Sequence, residues 1–300
     1  MQPPPRTVVV AGSSGLIGTA LVSALRQRGD TVRRLVRTDR AEPGTVRWAP
    51  ERGELPDDAL DGADAIVNLA GAPVGTRRWT RSYRREIVES RTTSSRLLAT
   101  RAARLPQRPA IVQASASGFY GDRGTTVLDE ADAAGDGFLA DVVLAWEAAA
   151  RPAVDAGVRV AYARSGIVLS PVGGAAQPMM RLLRLGLGGP LGSGRQVWSW
   201  ITLHDEVRAL IHLLDSEVSG PVNLVTPHAA TNRDLTRALA AQMHRPALVP
   251  APSAALRLVL GGFADEILAS RHVLPRVLET DGFHFDHPRV DDACAWLIRG

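Results

Sequence analysis

The first apolar run, TVVVAG (7–12), is β-branched without interruption and ends in glycine, the pattern of a parallel strand buried on both faces. Leu16, Ile17, Ala20, Leu21, Ala24 and Leu25 then recur on one face of a helix that Gly29 closes, and TVRRLVR (31–37) supplies a second strand. Strand, helix and strand in such quick succession are the βαβ unit of a parallel sheet. The alternation continues through TVRWA, AIVNLAG (65–71), a helix over 80–103, AIVQAS (110–115), a helix over 138–151 and VRVAYARSGIVL (158–169). This order predicts an α/β fold with a Rossmann-type doubly wound parallel sheet, whose ligands sit at the carboxyl ends of the strands.

After residue 170 the texture changes. PVGGAAQPMMRLLRLGLGGPLGSGRQ is rich in glycine and proline, as loops and a helix reaching over the sheet would be. GPVNLVTP (220–227) has the pattern of a strand returning to the sheet, and TNRDLTRALAAQM (231–243) opens on a Thr/Asn cap and runs on as a helix. Residues 1–170 are therefore expected to form the Rossmann domain, with its returning strand near 220–227. Residues 171–300 are expected to form a smaller, interleaved C-terminal lobe on the substrate side.

Composition narrows the function classes. Three hundred residues at 45% hydrophobic content suffice for one large core or for two lobes sharing a cleft. No apolar stretch is long enough for a membrane span, and MQPPPRTVVV lacks the features of a secretory signal, so a cytoplasmic protein is expected. All 35 basic residues are arginine, yet the net charge is only +4. The densest basic run, TRRWTRSYRREIVESR (76–91), mixes arginine with glutamate and apolar residues at helical spacing, which argues against a nucleic-acid partner. Cys294 is the single cysteine, in an amphipathic segment where a small buried residue is expected. His284 and His287 form a HxxH pair without a third ligand, so no metal site is expected.

Gly12, Gly15 and Gly18 lie between the first strand and the first helix. In this spacing the first glycine permits the tight turn, the second lets backbone approach a pyrophosphate, and the third lets helix and strand pack closely. The helix N-terminus then offers free N–H groups and a partial positive charge to the phosphates. NAD would call for an acidic residue at the end of the second strand. LVRTDRA instead places Arg37, and then Arg40, where they suit a 2′-phosphate, so NADP (NADPH) is the expected cofactor.

GSSGLIG, NLAG (68–71), SASGFYG (115–121) and RSGIVL (164–169), in this order, resemble the extended short-chain dehydrogenase/reductases. RRW (77–79), ESR (89–91), WEAAA (146–150), RLGLGGPLGSGRQ (184–196), ATNRDL (230–235) and LPRVLETDGFHF (274–285) are similar to an atypical, epimerase-like branch of that superfamily. That branch carries a C-terminal domain of unknown function, here about residues 248–297. The resemblance implies that Gly12, Ser14, Gly15, Leu16, Ile17 and Gly18 wrap the pyrophosphate, and that Val36 and Arg37 meet the 2′-phosphate end. It further implies that Leu69 and Ala70 line the cofactor, that Glu86 and Arg91 face it from the next helix, and that Val168 sits near the nicotinamide carboxamide.

Active members of the superfamily use a serine or threonine, a tyrosine and a lysine four residues after it. This chain contains no lysine, and aligning Trp146 and Glu147 with the family helix puts Leu139 and Val143 at the tyrosine and lysine positions. Of the three tyrosines, Tyr120 follows a strand end with Ser115 and Ser117 close behind it, which makes Tyr120 and Ser115 the candidate catalytic pair. Relatives carry a histidine where this chain has Thr202, with His204 two residues on as a candidate acid or base. Two readings stay open. One is an NADP-dependent oxidoreductase or epimerase with an atypical site, acting on a small carbonyl or hydroxyl substrate, with a homodimer among its assemblies. The other is a non-catalytic NADP-binding redox sensor or regulatory interaction protein.

Overall fold

The computed structural model describes residues 4–38 and 42–299. Strand β1 (Thr7–Ala11) leads through the glycine loop into α1 (Leu16–Arg28), followed by β2 (Thr31–Val36), β3 (Thr45–Arg47), β4 (Ala65–Asn68), α2 (Arg81–Ala102) and β5 (Ala110–Ala116). A 3-10 turn, Ser117–Tyr120, precedes β6 (Val127–Leu128), α3 (Phe138–Ala148) and α4 (Arg151–Asp155). Next come β7 (Val160–Ser165), β8 (Ile167–Leu169), α5 (Ala176–Arg184), β9 (Val197–Trp198), β10 (Trp200–Thr202), α6 (Leu203–Asp215) and β11 (Gly220–Leu224). The chain ends through β12 (Ala230–Thr231), α7 (Asn232–Gln242), α8 (Ser253–Leu260), α9 (Phe263–Leu268), β13 (His272–Val273), α10 (Arg276–Thr280) and α11 (Val290–Arg299).

The central sheet has seven strands in the order β11-β7-β5-β4-β1-β2-β3, every pairing parallel. The strand order reverses between β1 and β4, which opens a crevice at their carboxyl ends. Strand β1 explains its own composition. Val8 and Val10 face a core packed by α1 and α6, while Val9 and Ala11 face the opposite core of α2 and α4, so neither side has room for a polar residue. Leu21 and Leu25 of α1 are fully buried in the first core, each stabilising the fold by about 2 kcal/mol. GPVNLVTP returns to the sheet as β11, beside β7.

Two expected elements are divided. The helix expected over 138–151 breaks into α3 and α4, with Pro152 in the first turn of α4, where a missing N–H costs nothing. The strand expected over 158–169 breaks at Gly166, where a Cβ would stand 2.5 Å from the Ser199 carbonyl oxygen. That close approach turns β8 out of the central sheet to pair in parallel with β10. A third core gathers Leu169, Met180, Leu183, Trp198, Trp200, Leu235, Leu239, Cys294 and Leu297 under α5, α7 and α11, which accounts for the apolar faces of the late helices.

Candidate functional site

The crevice is bordered by the glycine loop, the segments after β4 and β5, and the turn from β7 into β8. Gly12 has φ +77°, and a Cβ there would stand 2.6 Å from the Leu69 carbonyl. A Cβ on Gly18 would come within 2.2 Å of the Gly12 carbonyl oxygen. Gly12 and Gly18 are thus small so that loop, helix and β4 can close together. Gly15 is different. A Cβ there would meet only the Gly12 oxygen, at 3.4 Å, and Ser14 and Gly15 are exposed. Gly15 is the N-cap of α1, no side chain caps the helix, and its first turn carries no acid. The amides of Leu16, Ile17 and Gly18 open the helix without an intrahelical acceptor, an arrangement suited to an anion.

Val36 ends β2 half-buried, and Arg37 follows it exposed to solvent. Arg40 lies outside the described residues. Leu69 and Ala70 border the crevice half-buried, and their loop is braced from below. Asn68, fully buried, donates to Ser95 Oγ at 3.2 Å and to Gln113 Oε1 at 3.0 Å, and its own Oδ1 accepts from the Ala70 N–H at 3.2 Å. Arg91 donates to the Ala72 carbonyl at 2.9 Å and stacks 4.9 Å over Trp146, and burial brings its pKa down to about 10. Arg91 therefore supports the loop that follows β4 by its carbonyl, while Glu86 stands exposed on the same helix. Local sequence does not announce the bracing role of Asn68, because its partners Ser95 and Gln113 are brought to it by α2 and β5.

Ser115 and Tyr120 belong to one buried network, and they do not stand side by side. Ser115 Oγ donates to Glu147 Oε1 at 2.6 Å. Glu147 also accepts two bonds from Arg164, Nε to Oε1 at 2.8 Å and Nη2 to Oε2 at 2.9 Å. Arg164 Nη1 in turn donates to the Tyr120 hydroxyl at 3.2 Å, and that hydroxyl donates to Asn223 Oδ1 at 2.8 Å. Tyr120 is fully buried, and burial raises its pKa above the usual phenol value. Its hydroxyl is spent on Arg164 and Asn223. Glu130 extends the network by accepting from the Asn223 N–H at 2.9 Å, and burial raises its pKa too. Glu147, Arg164 and Asn223 gave no local sign of being site residues, because strand order (β7, β11) and the packing of α3 against the sheet bring them to Ser115 and Tyr120.

The positions aligned with the family tyrosine and lysine are packed with apolar atoms. Leu139 lies against Gly118, where a Cβ would sit 3.3 Å from the leucine Cβ. Val143 belongs to a buried cluster with Phe119, Tyr120 and Leu128. Beside them stands an aromatic wall. Trp79 lies edge-on to Phe138 at 4.9 Å and tilted against Phe263 of α9 at 5.8 Å, with Arg84 over both Trp79 and Phe138. The start of α9 thereby covers the loop that follows β4.

At the far end of the crevice Val168 is half-buried and pairs in register with Ile201. Ser165, at the end of β7, donates to Oε1 of Glu206 at 2.6 Å. Glu206 is wholly buried, its Oε2 has no hydrogen-bond partner among the described residues, and desolvation pushes its pKa up to about 7 despite the Ser165 hydrogen bond. Thr202, in the place of the relatives' histidine, caps α6 by accepting from the Asp205 N–H at 3.1 Å. His204 turns toward the C-terminal segment and meets Asp286 Oδ2 at 2.7 Å. Cys294 is fully buried, and desolvation pushes its pKa up to about 12. Among the described residues no helix is long and apolar enough to cross a membrane.

Comparison with known proteins gives the same outline over nearly the whole chain. The model of the NAD dependent epimerase/dehydratase family matches residues 8–225, and that of a domain of unknown function, DUF1731, matches residues 251–297. The epimerase family protein Mb2239 of Mycobacterium bovis is 44% identical over 291 residues, 96% of each chain. The human epimerase family protein SDR39U1 is 37% identical over 297 residues, 97% of this chain and 99% of its own. The crystal structure of human SDR39U1 (isoform 2) with NADPH superimposes with a TM-score of 0.89 at 36% identity, covering 97% of this chain and 98% of that one.

Proposed function

The chain belongs to the NAD dependent epimerase/dehydratase family, and from that membership and its crevice we infer that it binds NADPH and acts on a small carbonyl or hydroxyl compound. One observation carries the cofactor reading. The uncapped, acid-free start of α1 stands behind a glycine loop whose only unobstructed glycine is Gly15, with Arg37 at the end of β2 to take the 2′-phosphate. The human relative whose structure contains NADPH supports it. Ser14, Leu16, Ile17 and Gly18 would hold the pyrophosphate with Gly12 and Gly15. Val36, Leu69, Ala70 and Val168 would line the cofactor, and Arg91 would brace its loop. When bound, the coenzyme supplies a hydride donor or acceptor.

For the chemistry on the protein side, we assign Ser115 to the substrate-binding role. Its hydroxyl donates to Glu147 and keeps lone pairs for a further donor, while Glu147 is held in place by both arms of Arg164. Tyr120 is assigned to bracing that network, because its hydroxyl is already shared between Arg164 and Asn223. The wall of Trp79, Phe138 and Phe263 supplies the apolar side of a substrate chamber.

The second reading, an NADP-binding sensor without turnover, is favoured by Leu139 and Val143, which leave the family's proton-transfer positions apolar. The two readings separate in one experiment. NADPH binding is measured by calorimetry, and its oxidation is then followed against a panel of aldehydes, ketones and quinones with wild type and Ser115→Ala. Turnover that falls in Ser115→Ala supports the enzyme, tight binding without turnover supports the sensor, and failure to bind NADPH or NADP⁺ removes both.

A further inference from the structure

The segment between α10 and α11 crosses the first turn of α6, far along the chain from it, and three side chains converge there. His204 and Asp205 come from α6 and His287 from the crossing segment, with one nitrogen or oxygen donor from each lying within 4.8 Å of the others. Asp205 Oδ2 stands 3.6 Å from His287 Nδ1. That spacing is close to the roughly 3.4 Å between two ligands bound at about 2.1 Å on a tetrahedral ion. His287 Nδ1 is buried and has no hydrogen-bond partner among the described residues.

The surrounding groups hold these donors in place. Asp205 is buried at 1% exposure, and its Oδ2 accepts from the His287 N–H at 2.9 Å and the Thr202 hydroxyl at 3.2 Å. Arg208 Nη1 contacts Oδ1 of both carboxylates, Asp205 at 2.9 Å and Asp286 at 3.2 Å, and the Asp286 N–H also donates to Asp205 Oδ1, at 2.9 Å. The guanidinium thus occupies the Oδ1 side of both carboxylates, while Oδ2 of Asp286 meets the His204 ring and Oδ2 of Asp205 faces the His287 ring beside the Thr202 hydroxyl and the His287 N–H. Asp286 Oδ2 lies 2.7 Å from His204 Nε2, the carboxylate–imidazole pairing that orients a ligating ring in metal sites. The Trp296 ring lies 5.4 Å from His287 and 6.4 Å from His204, and His204 remains partly exposed, which provides access from solvent.

We propose that His204, Asp205 and His287 form a binding site for a divalent transition metal of the zinc class, with Asp286 orienting His204. Two imidazoles and one carboxylate, with a position open to water, are a donor set that zinc accepts. The bound ion would clasp the C-terminal crossing segment to α6. His284, the apparent HxxH partner in sequence, offers only its carbonyl, to Arg208 at 2.8 Å.

The test uses the full chain stripped with a chelator and titrated with Zn²⁺ or Co²⁺ near neutral pH. Stoichiometric uptake is expected, with a Co²⁺ spectrum that reports imidazole coordination and a raised thermal midpoint. His287→Gln and His204→Gln should each weaken uptake roughly ten- to hundredfold, whereas His228→Gln, at an exposed turn, should leave it unchanged. Asp286→Asn, which keeps every ligand, should weaken it less. Absence of stoichiometric uptake by the wild-type chain, a Co²⁺ spectrum without nitrogen ligands, or equal affinity in folded His287→Gln would overturn the proposal.

Discussion

A Cβ on Gly18 would stand 2.2 Å from the carbonyl oxygen of Gly12, closer than any two such atoms can settle. Gly18→Ala should therefore destabilise the fold by about 3 kcal/mol or more, because backbone and not a flexible side chain must yield. Gly15→Ala should behave oppositely. The Gly15 φ of −75° suits alanine, so the thermal midpoint should move little while NADPH affinity falls. Equal loss of stability in the two variants, read by thermal unfolding, would contradict this division of labour.

Arg37 tests the 2′-phosphate assignment. Arg37→Ala should weaken NADPH roughly ten- to hundredfold, as expected for the loss of a charge-assisted contact, and should leave NADH binding nearly unchanged. Titration of both coenzymes against wild type and variant measures it. A parallel loss for both would place Arg37 outside the phosphate site.

Tyr120→Phe probes a brace. Removing the hydroxyl leaves Asn223 Oδ1 without its 2.8 Å donor in a buried site, which should cost about 1–3 kcal/mol in urea unfolding. Any turnover should persist and be reduced less than in Ser115→Ala. Abolition of turnover with unchanged stability would return Tyr120 to the role of proton donor.

Glu206 gives stability a pH dependence of definite sign. Burial raises its pKa from 4.5 to about 7, so across that window the folded state keeps a proton that the unfolded chain has released. Stability should fall as pH rises through the window, by up to roughly 3 kcal/mol, and then level off. Glu206→Gln should flatten that slope and be the more stable protein at pH 8, as urea midpoints at several pH values would reveal.

Much of the fold was legible in one dimension. The run Val8 to Val10 could only be a strand closed on both faces, and the spacing of Gly12, Gly15 and Gly18 dictated a loop against a helix start. The break at Gly166 was not legible, because nothing local in VRVAYARSGIVL announces that the Ser199 backbone comes within 2.5 Å of where a Cβ would stand. Tyr120 looked like a free donor for the same reason. Its hydrogen-bond partner Asn223 lies 103 residues away and reaches it only because β11 returns beside β7.

The sequence by itself determined the βαβ start, the helix whose amides face the crevice and the guanidinium at the end of β2, since strand period, helix period and glycine sterics act between near neighbours. Only the tertiary structure decided that Ser115 meets Glu147, that Tyr120 is consumed by Arg164 and Asn223, and that Asp205 faces His287. Such pairings depend on strand order and on where late segments cross early ones. No local periodicity encodes that path.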